Sequence, residues 1–185
     1  MSETKDKIVF MADKLLRTRG YNAFSYKDIA GPLAIKNAAV HYHFPVKEDL
    51  GVAVIAQEIA GFKANTAKWK NLPEQEQLAQ LFGVFERYCR EGNICLMGSL
   101  APDFETLAPA MQAKVQEMSD NILQWLTNCL EQGRKYKRLH FKGPAEIRAL
   151  IVISNLQSSL LLSRVMGSTA FHRISTQLLE DLCQK

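Results

Sequence analysis

Apolar residues recur along this chain at intervals of three and four, the spacing that lines one face of an α-helix. Over residues 4–19, Ile8, Met11, Ala12, Leu15 and Leu16 share a face. Gly20 follows as a residue able to take the left-handed backbone that ends a helix. Ser25 and Asp28 have capping-box spacing, which predicts a second helix over 26–33 with Ile29 and Leu33 inward. Pro32 lacks a backbone donor, so this helix should be short or distorted at its end. A third helix is expected over 37–44, with Val40 and Phe44 inward and Pro45 as its stop. The same period predicts helices over 47–69, from Pro73 to about Gly92, from Pro109 to about Tyr136, over 144–166, and from Ser168 to about Cys183. Pro102 and Pro109 bracket a further short element. No run alternates apolar and polar residues long enough for a strand. The pattern therefore predicts an all-α fold of about nine helices, with a three-helix head at residues 1–50 and a larger helical domain at 51–185.

Composition changes this picture in three ways. A chain of 185 residues that is 47% hydrophobic and 23% charged can bury a full core. The net charge of +4 sits in the first 70 residues, which carry eleven Lys and Arg against seven Asp and Glu, while the remainder carries twelve of each. A basic end on a neutral body points to an anionic partner there. The four cysteines form no C-x-x-C pair and no His stands at a zinc-ligand spacing from them, so neither metal nor cofactor is expected and the thiols should be reduced. No signal-peptide pattern opens the chain. The most apolar stretch, 147–166, contains Arg148, Asn155, Gln157 and Arg164, which suit a bilayer poorly. A cytoplasmic protein with no membrane partner is the expectation.

Three short helices with tight connections in a basic segment have the outline of a helix-turn-helix, in which one helix supports another lying in the DNA major groove. The reading helix would be 37–44. With Val40 and Phe44 inward, it offers Lys36, Asn37, Ala38, His41 and Tyr42 outward. Lys suits phosphates or guanine, Asn suits adenine, and Ala admits close approach to a thymine methyl.

The run Gly20-Tyr21-Asn22-Ala23-Phe24-Ser25-Tyr26-Lys27-Asp28-Ile29-Ala30, followed by His41-Tyr42-His43-Phe44-Pro45-Val46-Lys47-Glu48-Asp49-Leu50, resembles the head of TetR-family repressors over roughly residues 6–50. The resemblance implies an all-helical homodimer whose C-terminal domain binds a small molecule and controls affinity for a double-stranded DNA operator. It places Ser25, Lys27, Tyr42, His43 and Lys47 at or near phosphates. Lys36, Asn37, Ala38 and His41 would face bases or the groove edge. The chain departs from many members at Ala34, where Gly is common in the turn, at Lys36-Asn37, where Ser-Lys is common, and at His41, where Tyr is common. These departures leave the base-by-base reading open.

The helix over 144–166 is apolar nearly all round and must bury two faces. One can pack on its own domain. The other, with Ile147, Ile151, Ser154, Ser158, Leu161, Leu162 and Val165, would meet a second copy; a core helix inside a monomer is the alternative. Two-fold symmetry would set two reading helices roughly 34–36 Å apart, or a multiple. Phe62, Phe82, Phe85, Met97, Phe104, Met111, Met118 and Trp125 would line an effector pocket for an apolar or planar molecule, or simply fill the core. Cys95 lies in Gly92-Asn93-Ile94-Cys95-Leu96-Met97-Gly98-Ser99-Leu100, which resembles a segment in a TetR branch that includes sensors of electrophiles and oxidants. There a modified Cys at this place releases DNA; an inert buried thiol is the alternative. The functional expectation is a repressor released by a small molecule or by an electrophile or oxidant. Two other classes stay open: a helical adaptor with a degenerate head, and a small helical enzyme. For the enzyme, no Ser/His/Asp set, carboxylate pair, phosphate loop or metal cluster is visible.

Overall fold

The computed structural model describes residues 3–183. Among them lie nine α-helices, one 3-10 turn and no strand. The helices are α1 (Glu3–Arg19), α2 (Tyr26–Ala30), α3 (Asn37–His43), α4 (Lys47–Trp69), α5 (Glu74–Arg90), α6 (Leu96–Leu100), α7 (Pro109–Lys135), α8 (Ala145–Met166) and α9 (Ser168–Cys183). The 3-10 turn, Ala101–Thr106, separates α6 from α7. The all-α fold is the one the hydrophobic period predicts. The chain divides into two compact units. One holds residues up to Ala60 together with Leu96–Met118; the other holds Gly61–Cys95 and the chain from Ser119 on.

In the first unit, α1 buries Ile8, Val9, Ala12, Leu15 and Leu16. It ends where Gly20, at φ +88°, donates its N–H to Leu16 O at 3.0 Å. Only glycine takes that conformation without penalty. The Asp28 carboxylate then accepts both the Ser25 N–H and the Ser25 hydroxyl at 2.8 Å, which starts α2. These bonds hold the Asp28 carboxyl below its usual range, with Arg19 a smaller contributor. Helix α2 stops at Ala30, three residues short of the sequence expectation. Pro32 removes a donor, and Ala34 takes the left-handed region at φ +52°, so the chain turns instead. The turn closes through Ala34 N–H to Gly31 O at 3.0 Å and Ile35 N–H to Ala30 O at 3.1 Å.

The distant segment belongs to this unit for packing reasons. Helix α6 lies against α1. Met111, fully buried at the start of α7, rests on Gly51 of α4 so closely that an added Cβ there would stand 2.6 Å from Met111 Sδ. Arg17, only 4% exposed, links α1 to α4: its guanidinium meets Asp13 and Glu58, each at 2.8 Å.

In the second unit, α8 packs on α9 and α5. Its inner face buries Ala149, Val152, Ile153, Leu156 and Leu160, while Phe171 and Leu182 of α9 and Leu78, Leu81, Phe82 and Phe85 of α5 fill the same core. Helix α8 has the length and apolarity of a membrane span, but its buried inner face is core in this fold. Glu74, buried at the start of α5, pairs with Arg138 at 2.8 Å.

Candidate nucleic-acid interface

Helix α3 is held by two anchors and a capped end. Val40 is fully buried and Phe44 nearly so. The Tyr26 hydroxyl donates to Phe44 O at 2.8 Å inside the core, which satisfies a carbonyl at the end of α3 and ties it to α2. Burial, then Tyr21 and Asp49, pushes the Tyr26 phenol up to about 12. On the outer side, Lys36, Asn37, Ala38, His41 and Tyr42 are all exposed, Tyr42 at 83%. The His41 ring stands edge-on to Tyr26 at 4.6 Å. His43 is half-buried, 5.1 Å from the Tyr42 ring.

Five of the sequence-predicted residues meet around one open recess of about 510 Å³: Ser25, Lys27, Asn37, His41 and Lys47. Ser25 and Lys27 are exposed on its rim. Lys47 behaves differently from its neighbours. Its ammonium is turned into the head, donating to Tyr21 O and Phe24 O at 2.5 Å each and standing 4.5 Å and 4.1 Å from the Tyr21 and Phe24 rings. Burial lowers its pKa, opposed by Asp103 and Asp28. In this structure Lys47 clamps the turn between α1 and α2.

That turn has a second set of ties, which sequence reasoning missed. Asp103 Oδ2 accepts the N–H of Tyr21 at 3.1 Å and of Asn22 at 3.3 Å. The Asn22 side-chain amide donates to Thr106 Oγ1 at 3.1 Å. These partners are more than 80 residues apart, so no local pattern announces them. The Tyr26 bond was missed for the same reason. Its only local signal is an aromatic residue at the first position of a short helix.

Within the single chain the stripe on α8 is exposed: Ile147, Ile151, Ser154, Ser158, Leu161, Leu162 and Val165 all face outward, Val165 at 87%. Ser154 and Ser158 donate their hydroxyls to Ile151 O at 3.1 Å and Ser154 O at 2.8 Å on their own helix. The stripe therefore presents apolar surface with its polar hydrogens already satisfied. A cleft of about 540 Å³ beside it, between α8 and α9, is lined by Leu162, Met166, Ile174, Leu178, Asn155 and Asp181.

Among the expected effector residues, Phe62, Phe82, Phe85 and Trp125 lie in the second unit, and Met97, Phe104, Met111 and Met118 in the first. Phe62 and Trp69 each meet the Trp125 ring edge-on at 5.7 Å. Phe82, Phe85, Met111 and Met118 are buried core; Phe62, Met97, Phe104 and Trp125 are half-buried. No cysteine is in a disulfide. Cys95, directly before α6, is 7% exposed, which gives a reagent little access. Burial, then Glu74, pushes the Cys129 thiol up to about 12, and burial raises that of Cys183. Among the described residues no cluster of three or more His, Cys, Asp or Glu could hold a metal ion.

The family model described as bacterial regulatory proteins, tetR family, matches residues 8–54. No curated protein matches the chain. A TetR-family transcriptional regulator from Agrobacterium tumefaciens superposes with a TM-score of 0.90 at 30% identity, covering 97% of each chain. A TetR transcriptional regulator from Legionella pneumophila gives 0.87 at 33% identity, covering 98% of each. The reduced form of NemR from E. coli shares the fold, with a TM-score of 0.75 at 15% identity over 97% of each chain.

Proposed function

The chain belongs to the TetR family of bacterial transcriptional regulators, and on that premise we propose that it is a homodimeric repressor released from an operator by a small apolar or planar molecule. Members of the family are DNA-binding regulators with a ligand-binding C-terminal domain. The observation that carries the reading for this chain is the two-sidedness of α3. Val40 is 0% exposed on one side and Tyr42 83% on the other, with Lys36, Asn37, Ala38 and His41 beside it. A helix anchored so firmly while offering donors, acceptors and positive charge outward is suited to lie in a major groove. Ser25, Lys27, Tyr42 and His43 take the phosphates in this reading, and Lys36, Asn37, Ala38 and His41 the base edges. Lys47 acts through the turn that it clamps.

The dimer rests on the α8 stripe. Its positions recur at alternating steps of four and three from Ile147 to Leu161, with two small serines at the centre where two helices could approach closely. The effector reading rests on the cluster of Phe62, Trp69 and Trp125, whose rings pack edge-on and offer an aromatic surface that a planar guest would enter by parting them. Both tryptophans of the chain stand in this cluster, so intrinsic fluorescence should report its occupancy. The protein would act in the cytoplasm, where its DNA is.

The deciding experiment is anisotropy with a random-sequence duplex over a salt series. Wild type should show log K falling linearly with log salt, and Lys27→Ala, which removes a phosphate contact, should flatten the slope by about 1. Tyr42→Ala should weaken binding at every salt concentration. A wild-type slope near zero, with no binding at low salt, would overturn the reading in favour of an adaptor whose head has lost DNA.

A further inference from the structure

The turn over residues 20–25 decides where α2 begins, and through α2 it decides how α3 is presented. It has no ladder of its own to hold it. Two ions of opposite sign hold it instead. The Lys47 ammonium takes the carbonyls of Tyr21 and Phe24, and the Asp103 carboxylate takes the amides of Tyr21 and Asn22. A cation on peptide oxygens and an anion on peptide N–H groups each meet the favourable end of the peptide dipole, and such charge-assisted bonds are the strong class. The Tyr21 residue is gripped from both ends.

Lys47 begins α4 and is part of the head by sequence. Asp103 comes from far along the chain on a bracket that is itself fixed. Helix α6 lies against α1 before it, and Met111 is locked onto Gly51 after it. Within the bracket the Thr106 hydroxyl donates to Asp103 O at 2.7 Å, and the Gln112 amide donates to Phe104 O at 2.9 Å. Thr106 then receives the Asn22 side chain. Asp103 also lies against Gly20, where an added Cβ would be in van der Waals contact with Asp103 Oδ2 at 3.5 Å. A half-buried acid held this way is not an incidental surface charge.

We propose that Asp103 is a positioning residue for DNA binding: its carboxylate holds the turn between α1 and α2 in the conformation that presents α3. The inference rests on the DNA-binding reading. It assigns a role in operator recognition to a residue of the 3-10 turn, outside the three-helix head.

The test uses the full-length protein, a duplex selected by wild type from a randomised pool, and an unselected duplex at low salt. Asp103→Ala should weaken the selected duplex about tenfold or more, because specific contacts need α3 in register. The unselected duplex, bound by charge, should change by less than about threefold. Amide exchange should accelerate at Tyr21 and Asn22 while α1 and α4 stay protected. Asp103→Asn, which keeps an acceptor oxygen without the charge, should give an intermediate loss, and it serves as the readout if the alanine variant does not fold. Asn22→Ala, which removes only the Thr106 bond, should lose less than Asp103→Ala. Equal losses on both duplexes, or a selected-duplex affinity within threefold of wild type for both Asp103 variants, would overturn the inference. Failure of wild type to bind any duplex would instead overturn the DNA-binding reading.

Discussion

Tyr26→Phe removes one oxygen and almost no volume, so it isolates the bond that ends α3. In the wild type that oxygen donates to Phe44 O at 2.8 Å, in a residue only 7% exposed, with the acceptor residue 3% exposed. The net value of a neutral hydrogen bond is about 1 kcal/mol, and a buried carbonyl left without a donor costs about 1–3 kcal/mol. The variant strands the Phe44 carbonyl, so the expected loss is about 1–2 kcal/mol, within those bounds. For a chain of this length about 1 kcal/mol shifts the melting midpoint by roughly 2–4 °C, so a fall of roughly 2–8 °C is expected. Urea and thermal unfolding followed by circular dichroism measure it. A second arm varies pH. The phenol is raised from 10.0 in the unfolded chain to about 12 in the fold. A raised pKa means that the folded state favours the protonated form. Its contribution is therefore complete below pH 10 and is lost as pH climbs toward 12. Wild type should lose stability across that window more steeply than Tyr26→Phe. Equal midpoints at neutral pH, with parallel decline above pH 10, would refute the assignment of this bond as the cap of α3.

Three further outcomes follow from other parts of the molecule. Ala34 at φ +52° carries left-handed strain of about 1 kcal/mol, partly offset on replacement by the entropy that glycine adds to the unfolded chain. Ala34→Gly should leave stability unchanged or raise it by up to about 1 kcal/mol, and Ala34→Val should lower it; denaturant unfolding in which Gly is clearly the less stable would contradict this. A charge in the α8 stripe, as in Ile151→Glu or Leu161→Glu, should produce a folded monomer in sedimentation at micromolar concentration, because both positions are exposed within one chain. Thiol labelling read by mass spectrometry should modify half-buried Cys89 before Cys95 or Cys129, both buried, and a fastest reaction at Cys95 would show an opening that the fold does not display.

Much of the head was legible because its signals are local. The three-four period placed every helix but α6, since side chains that close one turn share a face whatever the rest of the chain does; the short element expected between Pro102 and Pro109 is the 3-10 turn Ala101–Thr106, and α6 before it was not read. Gly20 announced a left-handed helix end and takes it at φ +88°. The Ser25 and Asp28 spacing announced a helix start, and the two side chains bond as that spacing requires. The inward Val40 and Phe44 settled which face of α3 turns outward. The apolar surplus of α8 likewise announced a face in need of cover.

What the tertiary structure alone decided is how the head is braced. Pro32 marked α2 as short in the sequence, but the left-handed turn at Ala34 that ends α2 at Ala30 and leaves Leu33 outside it was not legible there. Lys47 read as a phosphate contact, and the fold turns its ammonium onto two carbonyls 23 and 26 residues away. Tyr26 reaches Phe44 across 18 residues, and Asp103 reaches Tyr21 across 82. Each of these bonds joins groups whose proximity exists only after the elements that carry them have packed. Periodicity encodes which face of a helix avoids water. It carries no record of which distant polar group will meet that helix's ends, because that choice is made by the packing of the whole unit.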